Sequence, residues 1–268
     1  MVDSRVFTVL SDLVRPVDFD RDLNDSNFVT RPNSNCNADP PFLTLHVVSA
    51  QGESKARSAI RQTWWRERTT HGKRVVTYFL LGYRRNHQAL LLREHMLHKD
   101  IIQKNFSDTY YNLTTKVLMG LEWVTRFCSS SNFVMRTDSD MFVNVAYLIE
   151  LLSHWSPKDI FTGGITRNAK VIMDDSSKWY ISENEYPLDN YLSFCKGSGY
   201  VFSTEVACRV WKVSKRIRKS KLENFFVGLC IAELHLDPVQ IHGQQIFHNS
   251  NVPFSVCAYR NLVTSHAV

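Results

Sequence analysis

The chain has 268 residues, 44% of them apolar and 22% charged, with a formal net charge of +6; this is the balance of a folded globular domain and excludes a disordered or low-complexity chain. The modest positive excess suits anionic ligands, but without a recognisable nucleic-acid-binding module it excludes nucleic acid as the expected partner. No run approaches the roughly 20 apolar residues needed to span a bilayer, and Met1–Pro16 carries Asp3, Arg5, Asp12 and Arg15, so it is no signal peptide.

In chain order, residues 1–41 are polar, broken by Asp, Asn and Pro, and read as an arm or stem. From Phe42 the pattern changes to that of a folded domain, taken as 42–268. Phe42–Ala50 reads as a buried first strand, Glu53–Glu67 as a loop and helix, Arg74–Gly82 as a second strand and His87–Lys99 as a helix. Leu113, Val117, Leu121, Val124 and Cys128 fall at helical spacing, which predicts an amphipathic helix over Asn112–Cys128. A short strand at Asn132–Arg136, a helix at Val145–His154 and a strand at Asp159–Gly163 follow. Val171–Tyr200 reads as hairpins and loops flanking a cleft, and Thr204–Ser214 and Leu222–Leu234 as helices. Strands alternating with helices predict an α/β fold with a mainly parallel sheet covered on both faces. Ligands in such sheets bind beyond the carboxyl ends of the strands.

The Asp-rich element Asp138-Ser139-Asp140 sits at such an end, directly after the apolar Phe133-Val134-Met135. Its two carboxylates are hard oxygen ligands suited to Mg²⁺ or Mn²⁺ bound to a diphosphate; the alternative is a solvated turn. Arg57 and Arg61 lie four apart on one helical face, either reaching phosphate or uracil oxygens or forming a solvated basic surface. Glu223-Asn224 opens an apolar helix, either as a catalytic pair or as an N-cap. The basic run from Lys212 to Lys221 reads as a solvated helix end, and His242 and His248 as surface residues. Six cysteines without a C-x-x-C pair argue against a zinc cluster. Their even number, with N-glycosylation sequons at Asn24, Asn105 and Asn112, favours the secretory pathway.

These segments together resemble the β-1,3-galactosyltransferases of glycosyltransferase family 31. Arg57–Trp64 is similar to the family's R-x-A-I-R-x-T-W, and Arg136–Asn144 to its K-T-D-S-D-M-F-x-N. Phe194–Ser203 is similar to F-C-x-G-x-G-Y-V-F-S, and Glu223–Cys230 to E-D-V-F-V-G-L-C. The motifs run in family order between Phe42 and His266, and are most similar to the type-5-like branch, which transfers galactose to GlcNAc. The resemblance implies a GT-A-type, Rossmann-like nucleotide-sugar domain, a UDP-sugar donor, Mn²⁺ and inversion at the anomeric carbon. It implies Asp138, Asp140 and His266 as metal ligands, with Asp138 also near the ribose. It further implies Arg57, Arg61, Gly197 and Gly199 at the donor, and Tyr186 and Leu188 on the acceptor side. His266 draws its role from the resemblance alone, since a histidine so near a chain end is otherwise incidental. The implied setting is the Golgi lumen, with membrane attachment only through an anchor absent from this chain and a glycan of a glycoprotein or glycolipid as acceptor.

Three departures stand out. The family's catalytic base is the Asp of the E-D pair, and here that position is Asn224, whose amide accepts no proton near neutral pH. Neighbouring Glu223 points about 100° away on a helix. Leu188 stands where close relatives carry Trp, and the chain ends at Val268 where the family continues, so a truncated C-terminus is expected. The expected activity is transfer of galactose from UDP-galactose to a terminal GlcNAc or GalNAc. The alternatives are a pseudoenzyme that still binds metal and UDP-sugar, and a β-1,3-N-acetylglucosaminyltransferase. Cys36 with Cys128, and Cys230 with Cys257, are candidate disulfides, the connectivity being open.

Overall fold

The computed structural model describes residues 27–33, 36, 38–64, 68–243 and 245–266. In chain order the elements are β1 (Phe28–Thr30), β2 (Leu43–Val48), α1 (Ser54–Gln62), β3 (Arg68–Thr70), β4 (Lys73–Tyr83), α2 (Gln88–His98), β5 (Ile101–Ser107), α3 (Leu113–Phe127), β6 (Phe133–Asp138), β7 (Met141–Val143), α4 (Val145–Ser153), β8 (Phe161–Thr166), β9 (Phe194–Ser203), α5 (Thr204–Ser214), α6 (Glu223–Glu233), α7 (Val256–Arg260) and β10 (Thr264–His266). The main sheet runs β1-β5-β4-β2-β6-β9-β8, with β3 paired to β4 off this path. Its centre, β5-β4-β2-β6, is parallel. β1 joins antiparallel at one edge, β9 and β8 at the other. This is the expected α/β architecture.

Every residue of β2 is buried, as a central strand covered on both faces requires. Side chains alternate between the faces. Leu43, Leu45 and Val47 pack with Ile60 of α1, Leu91 of α2 and Leu148, Ile149 and Leu152 of α4. Val48 belongs instead to the core on the other face, with Trp123 of α3, Val210 of α5 and Phe226 of α6. On this face His46 meets Trp123 edge-on at 6.1 Å.

Strands β3 and β5 lie where none was expected, and β9 extends from the stretch read as hairpins and loops through Ser203. β9 contains Lys196-Gly197-Ser198-Gly199, a composition with little strand preference, and its pairing with β6 and β8 overrides it. Phe28–Thr30, within the segment read as a polar arm, pairs with β5. Cys36 and Cys128 form a disulfide. The other candidate pair does not form: Cys230 is buried within α6, whereas Cys257 is exposed on α7. Among the described residues no helix is long and apolar enough to cross a membrane.

Along the parallel centre the chain steps from β2 outward to β4 and β5, then returns to place β6 on β2's other side. Their carboxyl ends diverge at this switch point, and the crevice so opened is where an open α/β sheet takes its ligand.

Candidate active site

The crevice is a cavity of about 540 Å³ lined by Asp138, Asp140, Gly197, Glu223, Asn224 and His266, among others. Asp138 ends β6, in register with Val48 of β2. The turn Ser139-Asp140 then leads into β7, and the Ser139 hydroxyl donates to Glu53 Oε2 at 2.7 Å. Glu53 also accepts from the Ala50 backbone N–H at 2.8 Å, which ties the acidic turn to the loop after β2. His266 reaches the site through β10, which runs antiparallel to β7 and sets His266 opposite Met141. Its Nε2 thereby comes within 3.3 Å of Asp140 Oδ2.

A buried arginine organises the opposite wall. Arg136, two residues before Asp138, is 2% exposed. Its Nη2 lies 2.9 Å from Asp138 Oδ1 and its Nη1 3.1 Å from Asp138 Oδ2, a forked pairing with both carboxylate oxygens. The same guanidinium lies 3.4 Å from Glu223 Oε2 and donates to the Gly197 carbonyl. Glu223 in turn accepts from the Tyr200 hydroxyl. Burial alone would lower the Arg136 pKa, but the Asp138 and Glu223 carboxylates outweigh it and hold the guanidinium above its ordinary value. Burial raises the Glu223 and Asp138 carboxyls, with Arg136 opposing it at both. Burial and the Glu223 charge push the Tyr200 hydroxyl well up.

Asp140 and His266 offer a carboxylate oxygen and an imidazole nitrogen side by side at the cleft. This fits Mn²⁺, which takes both donor types and fills the rest of its shell from phosphate oxygens and water. Among the described residues no cluster of three His, Cys, Asp or Glu side chains is arranged to hold an ion. Asp138 lines the same cleft with its carboxylate engaged by Arg136.

A family model described as Galactosyltransferase matches residues 55–242, most of the chain. The chain belongs to this family. Beta-1,3-galactosyltransferase 5 of Pan troglodytes is 46% identical over 247 residues, covering 91% of this chain and 83% of that protein. The human protein of that name is also 46% identical, over 91% of this chain and 80% of its own length. Human Beta-1,3-galactosyltransferase 2 is 42% identical over 89% of this chain and 58% of its own length. Among solved structures, the WbbM bifunctional glycosyltransferase in its apo form has a TM-score of 0.44 and 13% identity, over 85% of this chain and 46% of that one. That likeness is too loose to argue from.

Not every residue expected at the galactosyltransferase site lies on the cleft. Arg57 and Arg61 share one face of α1, as their spacing predicts, but that face is turned into the protein. Arg57 donates to both oxygens of Glu94 in α2, at 2.8 and 2.7 Å. Arg61 donates to both oxygens of Asp100, at 2.7 and 3.0 Å, and also meets Glu94. Neither lines the cavity. Buried guanidinium groups demand carboxylate partners, and α2 and the start of β5 supply them. Their placement supports the loop after β2 at one remove: Arg57 also donates to the Ala50 carbonyl at 2.6 Å.

Tyr186, expected on the acceptor side, is 1% exposed, donates to the Asn190 carbonyl at 3.0 Å and has its pKa pushed up by burial to about 12. It packs edge-on against Phe225 at 4.9 Å and stacks on Tyr191 at 6.1 Å. Tyr191 and Phe225 line the cleft, so Tyr186 backs the wall. Leu188 is half-buried against the core and is not part of the lining. In the glycine loop, a side chain at Gly199 would meet Met135 Cε at 2.9 Å and Thr264 Cγ2 at 3.0 Å, so glycine there lets β9 lie against β6 and β10. Gly197 contributes its carbonyl to Arg136.

Of the sequons, Asn24 lies outside the described residues. Asn105 is exposed on β5, and the Asn112 side-chain nitrogen donates to the Ser107 carbonyl at 2.9 Å. Arg136, Ser198 and Tyr200 belong to this site without being expected there: Arg136 and Ser198 line the cleft and Tyr200 bonds to Glu223. Arg136 carries a signal, a charge directly after the apolar run Phe133–Met135 and still within the buried strand. Ser198 and Tyr200 carry none beyond their place in the glycine motif.

Proposed function

We propose that the chain is a Mn²⁺-dependent, inverting β-1,3-galactosyltransferase taking UDP-galactose as donor and a terminal GlcNAc or GalNAc of a glycan as acceptor. The observation that supports this reading is the meeting of Asp138, Asp140, His266, Gly197 and Asn224 in one crevice at the sheet's switch point. The Cys36–Cys128 disulfide and the sequons favour an oxidising compartment, and we assign the protein to the Golgi lumen.

In such a transfer the acceptor hydroxyl oxygen bonds to the anomeric carbon as the bond to the UDP oxygen breaks, and the hydroxyl proton must pass to a base. Asp140 and His266 would hold the metal. When bound, it neutralises charge on the departing diphosphate. Arg136 keeps the Asp138 carboxylate and the Gly197 carbonyl in place. At the base position, the Asn224 amide orients a hydroxyl but takes no proton. Glu223 does not replace it, because its carboxylate is buried and committed to Arg136 and Tyr200. Binding is therefore better equipped than turnover.

Asn224 favours a second reading, a relative that binds UDP-sugar and metal without transferring. Product formation from a panel of UDP-sugars and β-linked acceptors, with and without Mn²⁺, tests both. The expected result is slow, Mn²⁺-dependent galactose transfer that rises about 10²–10⁴-fold in Asn224→Asp. Transfer by Asn224→Asp alone, with Mn²⁺-dependent UDP binding by both proteins, would establish the binding-only reading. Neither transfer nor Mn²⁺-dependent UDP binding by either protein would overturn both.

A further inference from the structure

Two hydroxyl groups at the crevice have no partner. Ser198 and Thr166 both line the cavity. The Oγ of Ser198 and the Oγ1 of Thr166 are buried without a hydrogen bond to any protein group. Serine and threonine hydroxyls in a folded interior are almost always bonded, and leaving one unmet is costly, so an unmet pair in one cleft calls for a partner from outside the chain.

The cavity that both residues line also takes Glu223 and Asn224 from the start of α6. Ser198 lies in the irregular stretch of β9 between Cys195, opposite Ile165, and Tyr200, opposite Gly163, and the Tyr200 hydroxyl meets Glu223 at the first turn of α6. Thr166 is directly opposite Phe194 across the β8–β9 pair, so these two share a face. A side chain built on Gly228 of α6 would come within 2.8 Å of Phe194 Cβ, so α6 packs closely against Phe194. Phe194, Tyr191 and Phe225 line the same cavity. The space thus combines an aromatic wall with two hydroxyls able both to donate and to accept, and neither hydroxyl carries charge. A phosphate would be drawn instead to Lys196 and Lys221 on the lining. A neutral ring with apolar C–H surfaces and several hydroxyls matches the pair.

We propose that Ser198 and Thr166 are hexose-binding residues, each exchanging a hydrogen bond with a sugar hydroxyl. This rests on the transferase reading above. The sugar is either the hexose of the nucleotide donor or the terminal sugar of the acceptor, and the two sources separate by experiment.

Calorimetric titration of the intact chain with Mn²⁺ present compares wild type, Ser198→Ala and Thr166→Val. The ligands are UDP, UDP-galactose, its deoxy-galactose analogues and a β-linked GlcNAc glycoside. UDP affinity should be the same in all three proteins. The affinity that galactose adds over UDP should fall about 3–10-fold in each variant if the donor hexose is held, and glycoside affinity should fall by that factor if the acceptor is. The deoxy analogue missing the paired hydroxyl should lose as much in wild type and nothing further in the matching variant. Unfolding midpoints should be equal to or above wild type, because an unmet polar group has been removed. Normal UDP binding, with both sugar ligands held by the variants as tightly as by wild type, would overturn the proposal and assign the hydroxyls to water. Failure of wild type to bind UDP at all would instead fell the transferase reading, and this proposal with it.

Discussion

Arg136→Met removes the guanidinium while keeping much of the side chain's length and apolar bulk. Three acceptors then lose their donor: the Asp138 carboxylate, the Glu223 carboxylate and the Gly197 carbonyl. Breaking a buried ion pair from one side costs about 3–5 kcal/mol, because the stranded charge stays in a medium that solvates it poorly. The two carboxylates do not share that cost evenly. The Asp138 side chain is 33% exposed and water can take over part of its pairing, whereas the Glu223 side chain is 2% exposed and has only Tyr200 left. We therefore expect about 3 kcal/mol in total, most of it residing at Glu223. Urea unfolding at neutral pH measures it, with the slope of the transition checked for constancy. Glu223→Gln in the same chain removes the stranded charge, so the double variant should be more stable than the sum of the singles implies by about 1–3 kcal/mol. Arg136→Lys keeps the charge but not the fork, and should fall between wild type and Arg136→Met. A loss below about 1 kcal/mol for Arg136→Met, with additive singles, would refute the view that one guanidinium holds this wall together.

Asp140→Ala should abolish Mn²⁺-dependent UDP binding in calorimetry while leaving the unfolding midpoint nearly unchanged, since the side chain is 61% exposed; binding that survives would remove Asp140 as a ligand. Arg61→Met should lower stability by about 3–5 kcal/mol through stranding Asp100, yet leave UDP affinity of the folded protein as it was; weakened UDP binding at unchanged stability would return Arg61 to the donor site. Burial lowers the His46 pKa from 6.5 to about 3, so the unfolded chain gains a proton below pH 6.5 that the folded chain refuses. The stability that His46 contributes is whole above pH 6.5 and falls by about 1.4 kcal/mol per unit from there toward about 3. His46→Leu should lack this loss, and urea unfolding of both proteins from pH 7 to pH 4 would show a difference that grows as pH falls; parallel curves would refute it.

What was legible in the sequence was what local pattern and motif order encode. The all-buried run of β2, the helical spacing within α3 and the apolar flank of Asp138 each describe their own environment, and each lies where expected. Features created by pairing distant segments were not legible in the same way. β9 is a strand because β6 and β8 claim its backbone, against the preference of its own glycines. The face shared by Arg57 and Arg61 was readable from their spacing, but whether it met solvent, ligand or Glu94 depended on a helix more than thirty residues on.

His266 shows the same logic in reverse. Nothing near the chain end marks this residue, and its proximity to Asp140 arises from three backbone pairs between β10 and β7, Thr264 with Val143, Ser265 with Phe142 and His266 with Met141. Because side chains alternate along a strand, a slip of one residue in that register would turn His266 away from the cleft. The imidazole's position is thus set by Thr264 and Ser265, which are fully buried and anchor the strand, more than by anything in its own neighbourhood. The same holds for Arg136, whose charge in a buried strand is tolerable because helix α6 and strand β9 bring Glu223 and the Gly197 carbonyl to it beside Asp138. Chemistry at this switch point is assembled by register, and substitutions that disturb the β7–β10 or β6–β9 pairing should damage metal and donor binding without touching a ligand.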